Sequence, residues 1–232
     1  MPSTPASLSP VDVTPVVLEG KRVRLEPMTQ EHLPELAQIA FEPSIWRWTH
    51  RRIDTPEDLR TFFKIALGEI DAGTAAVWIT RSKSSGKVAG STRFYEISQE
   101  HRTMELGGTW LHPDFQRTGI NVEAKYLQLA HAFERMNALR VALKTHHENL
   151  KSQTAIAALG AKFEGISRNH MSMPDGSVRH SHWYSIVREE WPQVKANLEA
   201  RLVRFQAQSV VDLPTADPLT PPLASPYTRP AR

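Results

Sequence analysis

The order of elements along this chain predicts an α+β protein built on a mixed, mostly antiparallel twisted sheet flanked by helices. Three observations carry that reading. AAVWITR and KVAGSTRFY flank SKSSG, with Gly86 in the turn, which makes a hairpin. KFEGISRNHMSM and VRHSHWYSIV flank the turn PDGS, a second hairpin later in the chain. Between them lies RTMELGGTWL, then a helical stretch, then the alternating RVALKT, one strand–helix–strand crossover of the kind that joins parallel neighbours.

Taken in order, KRVRLEP alternates and reads as the first strand. A helix is expected over Glu31 to Ala40, with Leu33, Leu36, Ala37 and Ala40 on one side; Pro34 is compatible only within the first turn. TPEDLRTFFKIAL has the clearest helix start in the chain. Thr55 caps it, Pro56 takes the first helical position, and Glu57 and Asp58 sit at the positive end of the dipole. Leu59, Phe62, Phe63 and Ala66 form its apolar stripe. In the third strand Gly107 and Gly108 have no side chains to pack, which predicts a bulge or a close backbone approach. Val122, Tyr126, Leu129, Ala130 and Phe133 fall at helical spacing after it. NLKSQTAIAALG is a further helix, capped by Asn149 and stopped by Gly160. EEWPQVKANLEARL, with Trp191, Val194, Leu198 and Leu202, closes the domain as a helix.

Composition narrows the function. Proline gathers at the two ends, so residues 1–15 and 205–232 are expected to be flexible tails around a single domain at 16–204. The 232 residues, 40% apolar, suffice for one substantial core. No apolar run approaches the ~18 residues of a membrane span, and MPSTPASLSP has neither a basic nor an apolar signal region, which predicts a cytoplasmic protein without membrane contact. The absence of cysteine excludes disulfides, thiolate metal sites and a cysteine nucleophile. The net charge is +3 and the pI about 9.3, but there is no run of five or six Lys/Arg, so nucleic acid is not an expected partner.

The junction between the glycine-broken strand and the next helix reads HPDFQRTGIN, His112 to Asn121. A helix N-terminus exposes unpaired N–H groups and the positive dipole end, so a loop of consecutive amides there is a site for phosphate. Gln116 to Asn121 supply those amides, Gly119 lets the backbone come close and Arg117 adds charge; a diphosphate fits best. The loop is neither GxxxxGK[ST] nor GxGxxG. Its form, Q-x-x-G-x-(small), resembles the pyrophosphate loop Q/R-x-x-G-x-G/A of the GNAT superfamily of acyl-CoA-dependent N-acetyltransferases. ELGGTWLHPDFQRTGINVEAK, NLKSQTAIAALGAKFEG and RNHMSMPDGSVRHSHWYSI are similar to its RimJ/RimL-like branch, which includes ribosomal-protein alanine and serine N-acetyltransferases. The resemblance covers about Leu18 to Trp191.

That resemblance implies the GNAT acyl-CoA N-acyltransferase fold with a splayed central strand pair, acetyl-CoA as co-substrate, and direct attack of an amine on the thioester. Trp110, Leu111 and His112 would line the gap that takes the pantetheine arm. Gln116, Arg117, Thr118, Gly119, Ile120 and Asn121 would hold the phosphates, and Asn149 would bond the pantetheine, cap its helix, or do both. Two departures stand out: Asn121 occupies a position that is Gly or Ala in the family, and Ile156 stands where many relatives carry a tyrosine as the acid for the leaving thiolate.

Glu105, five residues before Trp110 on the same strand, is the candidate base acting through a water; a solvated carboxylate or an ion-pair partner is the alternative. Ser152 is the acid that the branch implies in place of the tyrosine, or else a first-turn serine bonded to the cap. Trp46 and Trp48, flanking Arg47 between the first two helices, are candidate walls of an acceptor cleft or packing anchors. Among ten histidines, His146 and His147 form one pair and His170, His180 and His182 share the final hairpin; without HExxH no metal is expected. The acceptor is a protein N-terminal amine or a small-molecule amine. A non-catalytic acyl-CoA sensor or peptide-docking module with the same fold is the rival, and a homodimer through the final helix or hairpin is an open expectation.

Overall fold

The computed structural model describes residues 11–211, with side chains described as far as Phe205. Eight strands form one sheet: β1 (Leu18–Glu19), β2 (Val23–Pro27), β3 (Ala76–Ser82), β4 (Val88–Ser98), β5 (Thr103–Leu111), β6 (Arg140–His146), β7 (Lys162–Ser172) and β8 (Val178–Val187). Their spatial order is β1-β2-β3-β4-β5-β6-β8-β7. The pair β5–β6 is parallel and all others are antiparallel, as the hairpins and single crossover require.

The parallel pair is short. Thr103, Met104 and Glu105 register with Arg140, Val141 and Ala142, and there the pairing ends. Gly107 and Gly108 follow at once. Gly108 has a left-handed φ of 54°, and the β4–β5 register shifts between Ser91 and Arg93, opposite this stretch. A Cβ at 107 would lie 2.8 Å from the Tyr95 hydroxyl, and one at 108 would lie 2.6 Å from Arg93 Nε. The two glycines therefore let Tyr95 and Arg93 lie across β5 while a bulge turns its end away from β6.

Each face of the sheet carries its own core. Trp78 points to one side and its neighbours Val77 and Ile79 to the other, as a two-residue period demands. The first core joins Val23, Leu25, Trp78, Phe94, Met104, Leu106, Val141, Leu143 and Ile186 to α4 (Ile120–Ala130), α5 (Leu150–Ala157) and α6 (Trp191–Val211). The second joins Val77, Ile79, Val88 and Trp110 to α1 (Leu33–Ala37), α2 (Pro43–Trp46) and α3 (Pro56–Asp71). Among the described residues no member of that second core comes from β6, β7 or β8, so half of that face is left uncovered.

Several boundaries differ from expectation. The first helix is a 3₁₀ turn at Gln30–His32 followed by five α-helical residues, with Pro34 in the opening turn. The expected tail boundary at residue 15 is corrected by Val11, which is 3% exposed; its N–H and C=O are held by the Gln99 amide at 2.7 and 3.0 Å. Trp78 Nε1 also donates to Val16 O at 2.7 Å. One apolar anchor and three hydrogen bonds outweigh the proline-rich composition there. The closing helix continues to Val211, beyond the expected limit at 204, because no proline interrupts it after Pro192. The remaining parts of the expected tails, 1–10 and 212–232, lie outside the described residues.

Behind the strand opening, α4 buries Lys125, and no carboxylate pairs with it among the described residues. Its Nζ donates to Thr92 Oγ1 at 2.9 Å, Thr109 Oγ1 at 2.5 Å and Gln128 Oε1 at 3.3 Å. Burial pulls its pKa down to about 7. An unfolded lysine titrates near 10.4, so between these values the unfolded chain binds a proton that the folded one releases. Stability therefore rises with pH in that window and is lost as pH falls toward 7. From pH 7 to 8.5 the wild type is expected to gain on the order of 1.5 kcal/mol relative to Lys125→Met, read by urea unfolding of both proteins.

Candidate active site

The turn after β5 is built to leave amides free. Pro113–Phe115 forms a 3₁₀ turn, and Gln116 N–H returns to Pro113 O at 3.0 Å. Arg117 then takes φ 65° and Gly119 φ 85°, both left-handed, and Gly119 is the N-cap of α4. Glu123 N–H bonds Gly119 O at 3.0 Å, whereas none of the N–H groups from Arg117 to Val122 donates to another described residue. Such a run of unpaired amides at a helix N-terminus can take a diphosphate without any lysine or metal. Ile120 is buried and anchors the turn, and Thr118 Oγ1 donates to Phe115 O at 2.7 Å.

The carboxylate of Glu123, buried one turn into α4, accepts the N–H groups of Lys21, Arg22 and Val23 at 3.0, 2.7 and 2.8 Å. This fixes the β1–β2 turn so that the stem of Arg22 lies beside Gly119; a Cβ there would sit 3.4 Å from Arg22 Cδ and 3.1 Å from the Phe205 ring. Asn121 Oδ1 is buried without a partner. Gln116 faces away from the amides: its Nε2 donates to Leu111 O at 3.0 Å and its Oε1 accepts from Lys151. His112 has its N–H on Ala89 O at 2.9 Å and its carbonyl on Phe115 N–H at 3.0 Å, so its main chain belongs to the fold.

At the opposite end of the gap, α5 begins beside β6. Asn149 caps it, its Oδ1 accepting Ser152 N–H at 3.1 Å. The Ser152 hydroxyl, in contrast, makes no hydrogen bond among the described residues. Ile156 is packed in the first core. A free-amide loop, a strand pair that parts beyond Glu105, and a helix start across the gap are thus set along one edge. The domain model for the acetyltransferases of the GNAT type matches residues 22–162. The chain belongs to that family.

Solved and curated relatives agree. A candidate acetyltransferase from T. thermophilus is 40% identical, with a TM-score of 0.73 over 81% of this chain and 97% of that one. The uncharacterised N-acetyltransferase YnaD of Bacillus subtilis is 24% identical over 155 residues, 66% of this chain and 86% of YnaD. Mycobacterium smegmatis RimJ, solved with CoA-disulfide, shares the fold at 19% identity, with a TM-score of 0.72 over 84% of this chain and 97% of RimJ. Among the described residues no helix is long and apolar enough to cross a membrane.

In this GNAT acetyltransferase the uncovered half of the second face holds a cavity of about 360 Å³, lined by Glu105, Lys144, His170, Trp183, Arg140 and their neighbours. Glu105 is buried at its floor. One carboxylate oxygen accepts the Tyr95 hydroxyl and the other accepts Lys144 Nζ at 2.6 Å. Lys144 also stands 5.1 Å from the Tyr95 ring and 4.8 Å from the Trp183 ring. Tyr95 is pushed above its ordinary pKa by burial and then by Glu105, which keeps its proton in place. The ion-pair alternative for Glu105 is therefore present in the structure, in a carboxylate that also faces the cavity. His170 is held below its usual pKa by burial and then by Lys144 and Arg179, which favours its neutral form.

The two tryptophans part company. Trp46 is 5% exposed, donates its Nε1–H to Ala40 O at 2.7 Å and packs 5.2 Å from Trp110, so it is a packing anchor and not a cleft wall. Trp110 likewise sends its ring into the second core, leaving only its main chain to line the gap. Trp48 is half-buried, 5.0 Å from the His146 ring and under the guanidinium of Arg47 at 4.7 Å, outside the lining of that cavity. His146, His147 and Glu148 come close enough to hold a metal, yet His146 Nδ1 accepts Glu148 N–H at 3.0 Å, which puts the ring proton on Nε2. His146 Nε2 has no hydrogen-bond partner among the described residues. Sequence reasoning missed Tyr95, Lys144, Trp183 and Arg179. Lys144 alone carried a readable signal, lying on the same face of its strand as Arg140 and Ala142.

Proposed function

We propose that this acetyltransferase transfers the acetyl group of acetyl-CoA to a primary amine, on a protein N-terminus or a small molecule, by direct attack of the amine on the thioester. The observation that carries the reading is the run of unpaired amides at Arg117–Val122, set at the mouth of a strand gap whose far side opens on a polar cavity. Arg117 to Asn121 hold the phosphates, mainly through the main chain, Gln116 serves to shape the loop, and the ends of β5 and α5 receive the pantetheine arm, with Trp110, Leu111 and Asn149 as neighbours.

Glu105 takes the proton of the attacking amine through a water, and Ser152 gives one to the departing thiolate. What supports these roles is the cavity-facing position of Glu105 and the unengaged hydroxyl of Ser152. A peptide amine with a pKa near 8 is already partly neutral at physiological pH, so a modest base is enough.

Release of CoA thiol, followed with acetyl-CoA and a panel of amines, tests the proposal. Ser152→Ala is expected to lower kcat by roughly 10- to 100-fold with KM for acetyl-CoA unchanged. Tight CoA binding without turnover of any amine would replace this reading with that of a sensor.

A further inference from the structure

We infer that the amine acceptor also carries a carboxylate, and that Arg51 and Arg179 bind it at the rim of the cavity. The inference rests on the transfer reading above for its substrate and on the cleft's own charges for its chemistry.

Arg179 is 7% exposed, on β8. Its Nε donates to Ser181 Oγ at 2.9 Å and its Nη1 to the Trp48 carbonyl at 3.4 Å, and no carboxylate pairs with it among the described residues. Ser181 Oγ is in turn 2.8 Å from His170 Nδ1, and the His170 ring is 5.6 Å from that of Trp183; both rings line the cavity. Arg179 is therefore one hydroxyl away from the cavity wall. Arg51 comes from the loop before α3. Its Nη1 is buried without any hydrogen-bond partner, and it too has no carboxylate among the described residues.

Buried guanidinium N–H groups are almost always satisfied, so one that is not marks a place where another molecule supplies the acceptor. The nearby acids cannot serve. Glu105 is held by Lys144 and Tyr95, and Glu69 by Arg93 at 2.5 Å. His50 reports how closely the cations gather. Its pKa is lowered to about 4, first by burial and then by Arg51, Arg179, Lys144 and Arg93.

Positive charge held in a cleft without counter-charge costs stability and is kept where a ligand of opposite sign neutralises it. The planar fork of arginine matches a carboxylate. The same charges repel polyamines and aminoglycosides, which otherwise fit an amine-acetylating enzyme. The carboxylate has two sources: that of a free amino acid, or an acidic side chain near the amine of a peptide.

Four probes separate them: alanine against alaninamide, and the C-terminally amidated peptides Ala-Glu-Ala and Ala-Gln-Ala. Binding is read by calorimetry on the full chain with and without CoA, and turnover by thiol release. In one pair the carboxylate member is expected to be preferred by roughly ten-fold or more, with the preference shrinking as salt rises. Arg179→Gln and Arg51→Gln should each reduce it to about two-fold or less. Arg51 has no partner at Nη1 to lose, so its variant remains informative if Arg179→Gln unfolds. Equal binding within both pairs, or a preference that survives in Arg51→Gln, overturns the inference. A carboxylate preference in calorimetry with no turnover of any amine would leave the anion site standing and remove the transfer reading.

Discussion

Gly119→Val is expected to raise the dissociation constant for acetyl-CoA by roughly 30-fold or more, while lowering stability by only about 1–2 kcal/mol. The residue sits at φ 85°, a conformation that a β-branched side chain resists, and its Cβ would press on the Phe205 ring at 3.1 Å and the Arg22 stem at 3.4 Å. Relief of both strains moves the peptide planes on either side. Those planes carry the N–H groups of Arg117 to Asn121, whose common aim is what a diphosphate needs. Gly86→Val supplies the control. Gly86 has φ 70° with nothing within 4 Å of its would-be Cβ, so it suffers the same conformational strain far from the loop. Calorimetry with acetyl-CoA and urea unfolding read the two effects separately. Unchanged affinity in Gly119→Val, or an equal loss in Gly86→Val, removes the amide run from the phosphate site.

The contrast between loop and cleft explains how much of this protein its sequence discloses. Both hairpins, the single crossover and the loop at Gln116–Asn121 are local: each depends on a two-residue period, a turn residue or a helix start within a short stretch. The cleft is not local. Tyr95 meets Glu105 through the antiparallel register of β4 and β5, and Lys144 meets it across the parallel pair, 39 residues away. Both contacts depend on strand register, and a slip of one residue would turn each side chain to the other face. The inward turn of Trp46 is hidden for a related reason. IWRWT fixes the spacing of the two tryptophans, but only the carbonyl of Ala40 decides that the Trp46 indole turns inward while Trp48 packs against His146.

Removal of the Glu105 carboxylate tests the cleft most severely. Glu105 and Lys144 are 3% and 11% exposed at their side chains, so Glu105→Ala leaves an ammonium with little water and no counter-charge, and stability is expected to fall by about 3–5 kcal/mol. Glu105→Gln keeps an oxygen for the Tyr95 hydroxyl and should be milder. Lys144→Met alone strands the carboxylate in the same way, whereas Glu105→Gln with Lys144→Met removes both charges and should recover most of the loss, because two neutral groups of similar shape no longer demand each other. Catalysis need not follow stability. If the carboxylate accepts the amine proton, kcat in Glu105→Gln drops by roughly 100-fold, and the double variant, though stable, stays equally slow. Return of kcat together with stability in the double variant would assign Glu105 to holding the β5–β6 fork in place, and leave proton removal to His170 on the facing wall or to water.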